Sequence, residues 1–293
     1  MDGVAKSLYN AAFTVWNTLM EVAVTIFTTS PRAAGGGTPY STVYTIYVSI
    51  SDATVPIATV FFLIAIYKSV LQAPPEHQAT RFLQDALRYC IILFIASRLW
   101  TIMGYVMDFA DGITDQVGAV GSYELSMSGD LETIMEDCLE WPGFDVLDPG
   151  GTVKGIAEWV GCELIFILGG LVLVVVMVAS CLSIISQAFQ RILKPLIILP
   201  FAGIAVAMGA GSHESERSLY QYMKTFFGFC ISGALMIISI KVGVSLTTNL
   251  VSFDLSGASD IGKCVIMTVQ AAAAPIVIAG LVRGSDAVVQ KIF

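Results

Sequence analysis

The chain has 293 residues, 56% of them hydrophobic and only 13% charged, with a mean hydropathy of +0.78. Soluble domains carry roughly 25% charge, and a soluble core of this length could not hide so much apolar surface, so one membrane domain is expected and no soluble enzyme-sized segment. Charge is uneven: twelve of the 23 carboxylates lie in residues 108–158 against Lys154 alone, leaving 14 bases and 11 acids for the rest of the chain. Long apolar runs flank that acidic stretch. Polytopic membrane proteins place acids outside and Lys/Arg at the cytoplasmic ends of spans. The pI of 4.7 therefore reflects one loop.

In chain order, the start lacks a basic region followed by a clean apolar core, so internal spans are expected to direct insertion rather than a cleaved signal. Residues 8–28 have apolar groups at helical spacing interrupted by Asn10, Asn17 and Glu21, which predicts an amphipathic, interfacial helix. Pro31, Gly35, Gly36, Gly37 and Pro39 make a connector, and Tyr40, Tyr44 and Tyr47 suggest an aromatic belt. The first span is expected over 53–68, with Pro56 near its outer end. Pro74 and Pro75 break the helix, and a second span follows over 87–107. The acidic segment 108–158 comes next; its turn-rich portion, 141–151, predicts little regular structure. Residues 164–190 carry no charge, well above the ~20 needed to cross. Residues 195–212 are apolar but broken by Pro195, Pro200 and glycines. Spans over 219–251 and 264–282 complete the set.

The fold class expected is thus all-α and polytopic. It has about five transmembrane helices, an N-terminal amphipathic helix and a discontinuous segment. The organisation is residues 1–45 (amphipathic helix and Gly-rich connector), 46–107 (two spans), 108–158 (acidic extracytoplasmic loop) and 159–293 (the remaining spans). The bases orient it: 68–88, Arg191 and Lys194 inside, the acidic loop outside. If 195–212 does not cross, Arg283 and Lys291 are also inside, with the N-terminus outside and the C-terminus in the cytoplasm.

Ionisable residues inside spans are costly and mark functional candidates. Arg98, near the middle of the second span, is either a channel-lining or bracing cation, or it pairs with Asp108 or Asp111 or snorkels. Lys241 lies nearer a helix end, where snorkelling is favoured. Glu163 is expected at a span boundary. Arg191, Lys194, Pro195 and Pro200 are further channel or bracing candidates. Gly169, Gly170, Gly203, Gly209, Gly211, Gly228, Gly233 and 271–274 could form close helix contacts between or within subunits. Asp108, Asp111 and Asp115 share a helix face without EF-hand spacing. Of the six cysteines, Cys90, Cys181 and Cys230 read as packing residues, while Cys138 and Cys162 could form a disulfide if the loop is extracytoplasmic. With no CxxC and two histidines, no metal site is expected. No GxSxG, HExxH or phosphate loop is present, so no catalytic set and no cofactor are expected. His77 and His213 read as loop residues, and no stretch has the Lys/Arg density that gripping DNA requires.

Three stretches in order, RFLQDALRYCIILFIASRLWTIMGYVMDFADGI (81–113), RILKPLIILPFAGIAVAMGAG (191–211) and RSLYQYMKTFFGFCISGALMIISIKVGV (217–244), resemble the polytopic inner-membrane channel subunit of type IV secretion and conjugation systems. This is the TrbL-like family, in the form found in conjugative elements of Gram-positive bacteria. The resemblance covers residues 45–285. It implies about five spans, an outside N-terminus and an inside C-terminus in the bacterial plasma membrane. It also implies a homo-oligomeric ring, contacts with the machine's ATPases, with a bitopic scaffold subunit and with lipid, transient contact with transported DNA, and neither cofactor nor enzymatic activity. The long C-terminal extension of many relatives is not in this sequence. The competing reading is a stand-alone transporter or ion channel, which would want a repeat and paired intramembrane charges; an immunity- or toxin-like membrane protein is a third.

Overall fold

The computed structural model describes residues 2–70, 74–141, 143, 149–211, 213–249, 257 and 259–292. Among these the chain is helical, with no strand: α1 Asp2–Thr28, α2 Thr38–Ser51, α3 Thr54–Ser69, α4 Pro75–Ala119, α5 Gly129–Leu139, α6 Pro149–Ile198, α7 Ala202–Met208, α8 His213–Asn249 and α9 Asp260–Ile292. It is an all-α, polytopic helical membrane protein. Five segments are long and apolar enough to cross: Val4–Thr28, Pro75–Ala119, Thr152–Met208, Arg217–Thr247 and Asp260–Val289.

The set differs from expectation at its N-terminal end. At 1.5 Å per residue the 16-residue α3 reaches only about 24 Å, short of a ~30 Å hydrocarbon core. It is one arm of a bent pair, meeting the helical run Ala34–Ser51 at 45°. The 27-residue α1 passes instead. Its polar residues suggested an interfacial helix, but Asn17 is matched by backbone: its Nδ2 donates to the Leu125 carbonyl (3.1 Å) and its Oδ1 accepts from the Leu125 N–H (3.0 Å). A satisfied amide no longer argues for water. Between α1 and α2 the chain turns through Gly35, Gly36 and Gly37 at φ +58°, +67° and +78°, a left-handed run that side-chain-bearing residues adopt only at a cost.

The expected break lies before α4, which a proline opens. Pro75 is its first residue, where the missing N–H would be unpaired anyway, so His77 lies in a helical first turn. His213 likewise opens α8. The acidic segment is more helical than its composition suggested. Residues 108–119 end α4, 129–139 form α5 and 149–158 begin α6. Of the turn-rich 141–151, Pro142 and 144–148 lie outside the described residues. The Ser128 hydroxyl caps α5 by accepting from Leu131 N–H at 3.2 Å, and Asp130 and Glu132 in its first turn complement the helix dipole. Its apolar stripe, Leu131, Met135 and Leu139, is buried.

The chain forms two compact units. The first comprises Met1–Ile26, Ala119–Ala188 and Met236–Ser285. Here α1 buries Ala5, Tyr9, Ala12, Trp16, Met20 and Ala23, and α6 buries Cys162, Phe166, Gly170, Leu173, Met177, Cys181, Ile184 and Ala188. Both rows step by three and four, the spacing of a packed seam. Tyr9 meets Phe166 edge-on at 6.1 Å, and the Cys181 thiol points to the Trp16 carbonyl at 3.9 Å, so the two helices run parallel. Gly169 and Gly170 permit the approach: a Cβ on the first would strike Thr268, and on the second Leu8 at 2.8 Å. Lys6 pairs with Glu132 (2.7 Å) and Glu136 (2.9 Å).

The second unit comprises Phe27–Gly118, Phe189–Leu235 and Asp286–Phe293. The three tyrosines of the expected aromatic belt pack on one tryptophan. The rings of Tyr40, Tyr44 and Tyr47 surround Trp100 of α4 at 4.8, 4.9 and 5.0 Å. Further along, Tyr89 bonds Thr59 (2.9 Å) and stacks on Phe62 at 4.5 Å, and Asp85 accepts from Ser69. The pair α2–α3 thus runs antiparallel to α4. Helix α7 packs on α3, with Gly203 so close to Thr54 that a Cβ would collide.

Candidate functional site

The second unit contains a buried cation. Arg191, a bracing candidate that the sequence places at the positive end of a span, is only 1% exposed. The helix register turns it inward among acceptors from α4 and from the end of α1. Its Nη2 donates to Asp111 Oδ1 at 2.9 Å and contacts Thr114 Oγ1 at 3.4 Å. Its Nη1 donates to the Phe27 carbonyl, and to that of Thr29 at 3.3 Å. Asp111 is itself 9% exposed, and Thr114, one turn on, is fully buried. Helix α8 leaves room with Gly233, whose Cβ position would overlap the guanidinium. A charge this deep is tolerated only when paired and hydrogen-bonded; α4 supplies the counter-charge and the chain around the end of α1 supplies two carbonyls, while Nε is left without a partner among the described residues.

Around it lie two further pairs. Lys194, one turn along α6, bonds Asp286 and stands over the Phe229 ring at 5.8 Å. Arg32, in the connector, pairs with Asp108 at 2.6 Å and lies over Tyr40 at 5.4 Å. The Asp108 hydrogen bond holds the Arg32 guanidinium above its ordinary pKa. Asp108 and Asp111, which share a helix face in the sequence, are thus each paired with a different arginine.

The break in the apolar segment falls later than Pro195. Helix α6 continues through Pro195 to Ile198, and a 3₁₀ turn, Leu199–Phe201, carries Pro200 before α7 begins. Pro195 removes the N–H that would bond the carbonyl four residues back, that of Arg191. Next to the break, Tyr222 donates to the Ile198 carbonyl at 3.0 Å. The discontinuity therefore has its freed acceptors partly met by a neighbouring helix, as membrane interiors demand.

The other candidates separate. Arg98 is exposed, and among the described residues neither acid considered for it is its partner: Asp108 takes Arg32 and Asp111 takes Arg191. Lys241, in the first unit, extends to donate to the Val120 carbonyl just beyond α4, a cation at a helix C-terminus. Glu163 is buried (8% exposed) rather than at an open boundary. Of the cysteines read as packing residues, Cys181 and Cys230 are buried but Cys90 is exposed. Gly209, like Gly203 and Gly233, is occupied within the chain, a Cβ there meeting Leu219 at 2.7 Å. The residues 271–274 are half-exposed.

Cys138 and Cys162 do approach one another, as free thiols, and Cys264 joins them, which spacing could not show. Burial pushes the Cys138 thiol above its ordinary pKa.

The chain matches no protein-family profile, no curated protein and no solved structure.

Proposed function

We propose that this protein is a structural channel subunit of a type IV secretion (conjugative transfer) machine. In this reading it forms a homo-oligomeric ring in the bacterial plasma membrane through which a DNA or protein substrate passes. The observation that carries the reading is the Arg191 site. Its members Asp111, Arg191 and Gly233 come one from each of the three stretches that resemble the TrbL-like family. Their meeting at one buried charge is what supports reading the three stretches together.

The charge pattern supports an outside N-terminus and a cytoplasmic C-terminus. In this reading Lys68, Arg88, Lys194 and Lys291 lie on the cytoplasmic side and the acidic segment on the other. Partners in this reading are the secretion ATPases, a bitopic scaffold subunit, lipid and, transiently, transported DNA. Arg98, exposed on α4, is the side chain available to a neighbouring subunit or the passage.

The test is purification of the tagged chain from donor membranes in mild detergent, with mass spectrometry of what accompanies it. Recovery of a secretion ATPase and a bitopic subunit supports the reading. Recovery of the chain alone, as a small stable oligomer, favours a stand-alone transporter or ion channel. Arg98→Ala is expected to abolish transfer while leaving the protein in the membrane; unchanged transfer would sink the role given to Arg98.

A further inference from the structure

We propose that Cys138, Cys162 and Cys264 form a tris-thiolate site for a thiophilic d¹⁰ metal ion, with Zn²⁺ as its occupant. The three sulfurs come from three helices, α5, α6 and α9, and lie within 4.8 Å of one another. A metal–sulfur distance of ~2.3 Å sets sulfur–sulfur spacings of about 3.8–4.0 Å, so the cluster closes on an ion by side-chain rotation and sub-ångström shifts. The contrast with Cys181 is informative. That thiol is a lone sulfur in an apolar seam, the ordinary role of a buried cysteine, whereas this group converges from elements far apart in sequence.

The surroundings are built. Cys162 and Cys264 are 1% and 0% exposed, and Cys138 is half-buried on the side that opens. Cys138 lies in the last turn of α5, held by the buried Met135 and Leu139. The Trp159 indole donates to the Leu139 carbonyl at 3.0 Å, and its ring packs edge-on to Trp141 at 5.0 Å. Trp159 is one turn before Cys162, so the contact that fixes α5 also fixes the distance between two of the sulfurs. The site opens on a cavity of about 340 Å³ lined by Asp137, Glu158 and Asp260 beside Cys138 and Cys162. Carboxylates concentrate cations at the entrance, and the open side leaves a fourth position for water or a carboxylate oxygen, which completes a tetrahedral zinc site. Each thiol that becomes a ligand gives its proton to solvent. The ion would tie α5 to α6 and α9, whether or not the chain serves in a secretion machine.

The probe is Cd²⁺, which reports sulfur ligation by thiolate-to-metal charge transfer in the ultraviolet. The full chain, purified in mild detergent, reduced and desalted, is expected to bind one equivalent with that band. The band should be lost in Cys264→Ser and in Cys138→Ser and kept in Cys90→Ser. Cys138 is half-exposed, so its variant is expected to remain monodisperse even if the buried ones do not. Zn²⁺ should shield Cys138 from maleimide in intact membranes, and a chelator should restore labelling. No band, or a band unchanged in a monodisperse Cys138→Ser chain, overturns the proposal. So does a Cys138–Cys162 disulfide in the chain as isolated that persists in cells supplied with zinc.

Discussion

At the scale of single residues, the Arg191–Asp111 pair makes the sharpest stability forecast. Removing one partner of a buried ion pair typically costs about 3–5 kcal/mol, because the other is left uncompensated. Asp111→Ala is therefore expected to lower the unfolding midpoint far more than Asp108→Ala, whose partner Arg32 is partly exposed (41%) and worth about 0–1 kcal/mol. Thermal unfolding of the two variants in one detergent compares them directly; equal losses would mean that Arg191 is hydrated. Glycines provide a second contrast. At Gly233 an added methyl collides with Arg191, whereas at Gly112 it meets nothing within 4 Å. Gly233→Ala should destabilise, and Gly112→Ala should stabilise by about 0.5–1 kcal/mol through helix propensity.

At the scale of elements, the sequence read well where periodicity and length decide. The long apolar run of α6, the break near Pro200 and the breaks around α4 all follow from local chemistry. It read poorly where a polar residue is satisfied from afar. Asn17 counted as a polar residue against a span because its backbone partner, Leu125, lies 108 residues away. The packing of Tyr40, Tyr44 and Tyr47 was not legible because no local signal places Trp100 between them. That tryptophan should anchor α2: Trp100→Ala is expected to cost about 3–5 kcal/mol. Tyr44→Ala, at a ring 48% exposed, should cost clearly less; reversal of that order in a melting experiment would deny Trp100 the central position. Pro195→Ala restores an N–H to the Arg191 carbonyl and should raise stability by up to about 3 kcal/mol. No gain would show that the freed carbonyl is already bonded elsewhere.

At the scale of the whole molecule, composition gave the class and the presence of about five long apolar helices, because both are sums over the chain and survive local misreadings. Such sums could not give the partners of individual charges. Arg98 drew notice as the mid-span cation, yet Arg191, at the nominal end of a span, is the buried one. The difference is one of register: a helix turns each successive residue by about 100°, and hydropathy averaged over a window does not see which way a side chain points. The thiol cluster was half legible for the same reason. Cys138 and Cys162 are near in sequence, while Cys264 arrives from more than a hundred residues later.

The Arg191 site also has a direction in time. Synthesis proceeds from the N-terminus, and Phe27, Asp111 and Thr114 all precede Arg191. When that arginine leaves the ribosome its acceptors have already been made, and only the space-giving Gly233 is still to come. The span ending at Arg191 therefore enters the bilayer beside a waiting counter-charge, while a chain begun after Asp111 would have to insert the same cation alone. Biogenesis of this protein should tolerate loss of its C-terminal helices better than loss of its first hundred residues.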